Sequence, residues 1–209
     1  MWTSNNALVP DPDKEDILSS NPPEWPVLAV GLRMCSWADD VVKFYLLGNP
    51  VVWWSGTASL GVFLSLLAVY VVRIQRKIRD LSQGRSAHDW LWGDRVVEEY
   101  GNSLRVWILV GMNLFFGWAL HYLPFGIMGR VTYLHHYFPA LYFSILMVPF
   151  LLDHFTLRSR PNVKNIVFGT AFSIVFAVYW YFAPLAFGFT GSASEMSGRR
   201  WLQSWNLVD

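Results

Sequence analysis

Four long apolar runs dominate the chain: residues 51–72, directly after Pro50, then 106–123, 139–152 and 166–187. The third extends back toward Leu134. A helix needs about 20 apolar residues to cross a hydrocarbon core. The pattern therefore predicts an all-α fold, a polytopic membrane protein with four transmembrane helices. Residues 124–134 form a short link, so the second and third runs read as a helical hairpin. No internal repeat or low-complexity segment interrupts the pattern.

Composition sharpens this reading. Of 209 residues, 54% are hydrophobic and only 15% charged, where soluble domains carry about 25% charged residues. The aromatic share, 17% with 12 Trp, excludes a disordered chain. Cys35, the single cysteine, excludes a disulfide scaffold. A formal net charge of +1 gives no basis for a nucleic-acid partner. Trp53, Trp54, Trp107, Trp118 and Tyr122 fall near the predicted span ends, and Trp90 and Trp92 lie in the 73–105 segment between spans. Amphipathic rings favour the membrane interface, so most of these are read as anchors.

Charge assigns an orientation. Segments 73–105 and 155–165 hold ten of the sixteen Lys and Arg residues. The positive-inside rule places both in the cytosol. Both termini and the 124–134 link then lie on the opposite side. The first fifty residues agree, with three basic and seven acidic side chains. They lack the apolar stretch of a signal peptide. The simplest reading puts further spans upstream and makes Met1 an internal methionine.

Chemistry concentrates in few places. The first span is rich in small residues, with Ser55 and Ser59, Thr57 and Gly61, and Gly61 and Ser65 each four apart. Such pairs let helices approach closely. The second span carries Asn113, Gly117 and His121 at steps of four. A mid-membrane amide is costly without a partner, so Asn113 is expected to bond another helix. Asn113 and His121 are also candidates for lining a polar cavity.

The densest polarity lies in HYLPFGIMGRVTYLHHYFPALY, residues 121–142. Pro139 sets the start of a regular helix near Phe138. Arg130 offers a permanently charged, forked donor suited to phosphate, and a helix N-terminus favours anions. Tyr133, His135, His136 and Tyr137 would add hydrogen bonds. Two readings stand side by side: a phosphate or lipid-diphosphate site, and an interfacial belt from which Arg130 snorkels to headgroups. His135 or His136 could also serve as a general base. No metal site is expected, because adjacent helical histidines diverge by about 100° and the link holds no carboxylate. The acidic run DPDKED at 11–16 lacks the glycine and terminal glutamate of a calcium loop.

The segments MWTSNNALVPDPDKEDIL, LLGNPVVWW and ALHYLPFGIMGRVTYLHHYFPALYF, with SWN at 204–206, resemble the C-terminal region of protein O-mannosyltransferases. These are the dolichyl-phosphate-mannose–protein mannosyltransferases of the endoplasmic reticulum. The opening segment is most similar to a fungal subfamily that forms heterodimers. The resemblance implies the C-terminal part of a GT-C type fold. Residues 1–50 would be a lumenal segment following a MIR domain. Residues 51–187 would be the four-span region, with cytosolic loops at about 73–105 and 155–165, and 188–209 a lumenal tail. It implies inverting transfer of mannose from dolichyl phosphate mannose to Ser or Thr of secretory proteins, with no cofactor beyond that donor substrate. Implied partners are the lipid-linked donor, acceptor proteins, the membrane and a related mannosyltransferase. On this reading Arg130, Tyr133, His135, His136 and Tyr137 are the donor-phosphate candidates, and Asn113 and His121 line a cavity. The family's catalytic Asp-Glu pair, in its first lumenal loop, has no counterpart here, and Asp39-Asp40 is not that motif. The chain alone is therefore expected to be inactive. The 81–103 stretch also departs from the family pattern. The competing readings are a non-catalytic membrane subunit that binds a lipid or partner, and a small proton-relaying transporter. The second is disfavoured because ionisable groups sit at the span edges.

Overall fold

The computed structural model describes residues 18–35, 37–38, 41–76, 104–128, 131–157 and 159–207. Four helices account for most of them: α1 (Pro50–Gln75), α2 (Leu104–Ile127), α3 (Phe138–Thr156) and α4 (Pro161–Phe187). Each is long and apolar enough to cross a membrane. The expected spans are all present, with shifted ends. Helix α2 runs past Leu123 and through Pro124 to Ile127. So close to the helix end, the proline costs little more than one amide hydrogen bond. A 3-10 turn, Leu134–Tyr137, leads into α3, whose first turn holds Pro139. This is the break expected there.

Helix α3 packs against α1 on one side and α2 on the other, while α4 lies at the edge. Small residues set the contacts. A Cβ on Gly56 would meet Ser144 of α3, one on Gly117 would strike the Phe143 ring, and one on Gly111 would strike Phe63. Ser59 Oγ lies 2.6 Å from Gly56 O and 3.3 Å from Ser144 O. The small-residue run in α1 therefore splits. Gly56 and Ser59 face α3, whereas Gly61 faces open space and Ser65 bonds back to Gly61 O. At the far end of the bundle Leu60, Phe63, Trp107, Met147 and Leu151 form a second core. Tyr70 Oη pairs there with His154 Nε2 at 2.7 Å.

Segments 18–49 and 188–207 fold together over the other end as a cap. It contains two short antiparallel strands, β1 (Leu32–Met34) and β2 (Phe44–Leu46), with Arg33 opposite Tyr45. Lys43 and Phe189 exchange backbone hydrogen bonds. The Ser20 amide donates to Thr132 O, and Thr132 Oγ1 returns a bond to Ser20 O. The N-terminal segment, the α2–α3 link and the C-terminal segment therefore share one end, as the charge pattern requires. The strands depart from a purely helical reading. At three residues each they are too short to leave a pattern in the sequence. Arg130, the 11–16 acidic run, Asp39, Asp40, Trp90, Trp92 and the 81–103 stretch lie outside the described residues.

Candidate functional site

The cap is fastened to the bundle by side chains that satisfy backbone carbonyls. Four consecutive carbonyls, 25 to 28, each accept one such bond. Trp53 Nε1 donates to Trp25 O at 2.5 Å, and the Thr57 hydroxyl donates to Pro26 O. Trp54 Nε1 donates to Val27 O at 2.8 Å, and Trp205 Nε1 donates to Leu28 O at 2.8 Å. An irregular segment at a protein core must find partners for its peptide groups, and these indoles supply them. Trp25 closes the set by donating to Ser20 Oγ. Tyr122 Oη donates to Pro22 O, and Trp118 Nε1 donates to Tyr137 Oη. Trp53 is thus a buried internal tie, which corrects its reading as a lipid anchor, while Trp54, Trp118 and Tyr122 are half-buried and tie the cap and the turn through their polar atoms. Trp107 is also buried, in the second core.

The SWN triplet has a clear place. Trp205 is fully buried, and Asn206 Oδ1 accepts a hydrogen bond from Tyr45 Oη at 2.8 Å. Asn206 O accepts from Arg33 Nε, whose guanidinium lies over the Trp37 ring. Burial pushes the Tyr45 hydroxyl well above the ordinary tyrosine range. Nothing in the sequence pattern marks Arg33 or Tyr45 for this role, beyond Arg33 being one of three basic residues among the first fifty.

Beside this lock lies the 3-10 turn that precedes α3. The Tyr133 amide donates to His136 Nδ1 at 3.0 Å, and the His136 amide donates to Tyr133 O. The rings of Tyr133, His135 and His136 stack. His135 and His136 centroids are 4.4 Å apart at 26°, and Tyr133 lies 5.7 Å from His135 at 8°. The two histidines therefore lie face to face, not splayed as a regular helix would leave them. His135 is exposed, and Tyr133 and His136 are half-buried. On its inner side His136 meets Phe125 and Trp25.

Tyr137 parts from this group. It is fully buried, stacks on Trp53 and accepts the Trp118 hydrogen bond. Two residues after His135 on a tight turn, it points into the cap core while His135 points out. The surface group is thus Tyr133, His135 and His136, at the capped end and at the start of a 19-residue helix. It presents hydroxyl and imidazole groups that can donate or accept hydrogen bonds. Among the described residues no set of three His, Cys, Asp or Glu is placed to hold a metal ion.

Asn113 and His121 lie on the outer surface of α2. Asn113 Nδ2 donates to Leu109 O of its own helix, and the expected bond to another helix is not found among the described residues. His121 Nδ1 pairs with Gly117 O, and its ring stacks on Phe143. Neither residue joins the Tyr133 group.

A family model described as the C-terminal four TMM region of protein-O-mannosyltransferase matches residues 1–205. Dolichyl-phosphate-mannose–protein mannosyltransferase 6 of Saccharomyces cerevisiae is 40% identical, across 100% of this chain and 25% of its own. Dolichyl-phosphate-mannose–protein mannosyltransferase 2 of Candida albicans is 35% identical, across 100% of this chain and 26% of its own. The chain thus spans about a quarter of the length of the curated relatives it matches. A solved structure, the S. cerevisiae protein O-mannosyltransferase Pmt1-Pmt2 complex bound to the sugar donor, superposes with a TM-score of 0.71 at 26% identity. The match covers 98% of this chain and 25% of that one.

Proposed function

Because the chain belongs to the protein O-mannosyltransferase family, matching its C-terminal four-span region, we propose that it forms the C-terminal membrane part of an endoplasmic-reticulum mannosyltransferase. That enzyme transfers mannose, with inversion, from dolichyl phosphate mannose to Ser or Thr of secretory proteins. The observation that carries the reading is the match over residues 1–205. The capped end faces the lumen, in keeping with the basic loops at the other end. The enzyme works as a heterodimer with a related mannosyltransferase, a reading supported by the two-chain composition of the similar solved complex.

Within this region the Tyr133, His135 and His136 group, with Arg130 three residues upstream in sequence, contributes to holding the donor phosphate. The group stands at the N-terminus of α3, where helix amides favour an anion. Arg130 would add a forked, charge-assisted contact to the phosphate oxygens. Tyr137 contributes from behind, by holding the turn against Trp53. The carboxylate that takes the acceptor hydroxyl proton comes from outside this chain.

Kinetics of the full-length enzyme test this placement. A hydrogen bond to a charged group contributes about 1.5–3 kcal/mol. Arg130→Ala should therefore weaken donor-lipid use by about 10- to 100-fold. Arg130→Lys should recover only part, because an ammonium lacks the planar fork. A lipid dependence unmoved by Arg130→Ala, at equal folded amounts, would remove Arg130 from the site.

A further inference from the structure

The two histidines of the turn before α3 are held in unequal ways. The Tyr133 amide donates to His136 Nδ1 at 3.0 Å. Tyr133 O also lies 3.0 Å from Nδ1, but it already accepts from the His136 amide. The backbone fixes the direction of the Tyr133 N–H, so Nδ1 must offer it a lone pair. The neutral ring therefore carries its proton on Nε2. An imidazolium would set an Nδ1–H against that amide N–H and lose the bond. Two rings back His136 on its inner side, Trp25 at 6.3 Å and 21° and Phe125 at 5.3 Å and 50°. The His136 ring is thus fixed in both plane and tautomer.

His135 has none of these ties. It is exposed, and it has no hydrogen-bond partner among the described residues. Its ring meets His136 at 4.4 Å and 26° and Tyr133 at 5.7 Å and 8°. Tyr133 lies 5.9 Å from His136. Three centroids so spaced cannot fall on one line, so Tyr133 flanks the histidine pair rather than closing its end. The orientation of His135 comes from the ring on which it stacks.

We propose a division of labour between the two. His135 is the imidazole that touches the donor phosphate, donating a hydrogen bond to its oxygens. His136 is a positioning residue: locked as the Nε2–H tautomer, it fixes the plane of the His135 ring. It is not a general base, because the amide occupies Nδ1 and Nε2 already holds a proton. The contact made by His135 rests on the donor-phosphate reading of this turn, whereas the lock on His136 rests on geometry alone.

Two measurements on the full-length enzyme separate these parts. The first is a spectrum of the enzyme labelled with nitrogen-15 histidine, in mildly alkaline buffer, with His136 assigned through His136→Gln. Nδ1 of His136 should resonate as a bare ring nitrogen and Nε2 as a protonated one. A proton on Nδ1 would overturn the lock and leave the phosphate reading standing. The second is steady-state kinetics at equal folded amounts. His135→Ala should raise the KM for dolichyl phosphate mannose by about tenfold or more, the fold-change of one lost hydrogen bond to a charged group. His136→Ala should raise it by about three- to tenfold, through the loss of one ring pair, with the acceptor-peptide KM unmoved. His136→Phe keeps a ring that Trp25 and Phe125 can hold, without its nitrogens, and should recover most of that loss. A Phe variant as impaired as the Ala variant would mean that a nitrogen of His136 itself meets the ligand, and would overturn the positioning role. A donor KM unmoved by His135→Ala would take this turn away from the phosphate, and the site reading with it, whatever the spectrum shows.

Discussion

Trp205 makes no backbone ladder with the segment it secures, yet it fills the centre of the cap and donates to Leu28 O. Removing so large a buried side chain leaves a cavity and orphans that carbonyl. Trp205→Ala should cost about 3–5 kcal/mol, read as a lower unfolding midpoint in detergent. Trp205→Phe should recover much of the packing and none of the hydrogen bond. Tyr45 adds a pH signature. Its value is raised by burial, so the folded state keeps the proton at pH where the unfolded chain releases it. Its contribution is whole below the unfolded value of 10.0 and is lost as pH rises from there through the folded value. The midpoint should therefore fall steeply above about pH 10, and less steeply in Tyr45→Phe. That variant should start lower by about 1 kcal/mol, for the lost bond to Asn206. Equal slopes for the two proteins would remove Tyr45 as the source.

Among the elements, α1 shows what hydropathy can and cannot reveal. Its existence and extent follow from an unbroken apolar run, because length and hydrophobicity are properties of the segment alone. Which of its small residues touch a neighbour depends on how α3 crosses it, and the stripe Ser55, Gly56, Ser59, Gly61 looks uniform in sequence. Gly56→Leu should force α1 and α3 apart at Ser144 and cost about 1–3 kcal/mol. Gly61→Leu, facing open space, should leave the unfolding midpoint unchanged or slightly raised. Thermal unfolding of the two variants checks both. The same limit explains the site. Polarity at 121–142 is visible in composition, and Pro139 announces the helix start. The inward turn of Tyr137 and the stacking of His135 on His136 arise only when the 3-10 turn is pressed against Trp53 and Trp25. The row of carbonyls at residues 25–28 was illegible for a related reason: the side chains that bind it lie between 27 and 177 residues away in the chain.

At the scale of the molecule, the described parts of segments 18–49 and 188–207 and the start of α3 share one end, and the basic connections 73–105 and 155–165 join the helices at the other. Glycosylation acceptor sequences placed after Asp209 and near Asp13 should be modified in the endoplasmic reticulum, and one near Gly84 should not. Modification near Gly84 alone would invert the orientation. Catalysis is the larger consequence of this arrangement. The four helices and the cap bring together hydroxyl, imidazole and indole groups at the capped end. Among the described residues the capped end holds two carboxylates, neither in an Asp-Glu pair: Glu24, which accepts from the Asn21 amide at the 3-10 turn of residues 22–24, and Glu195, exposed on the C-terminal 3-10 helix of residues 193–199. Asp153 is paired with Lys164 at the opposite end. Transfer to a Ser or Thr hydroxyl needs a base for the departing proton, and general-base assistance contributes about 10²–10⁴-fold in rate. Purified chain, given dolichyl phosphate mannose and an acceptor peptide, should therefore give no measurable mannosyl transfer, while still unfolding cooperatively in detergent. Retained cooperativity separates missing chemistry from a missing fold. Transfer by the chain alone would require a base within these 209 residues and would sink the assignment of the proton acceptor to another part of the enzyme.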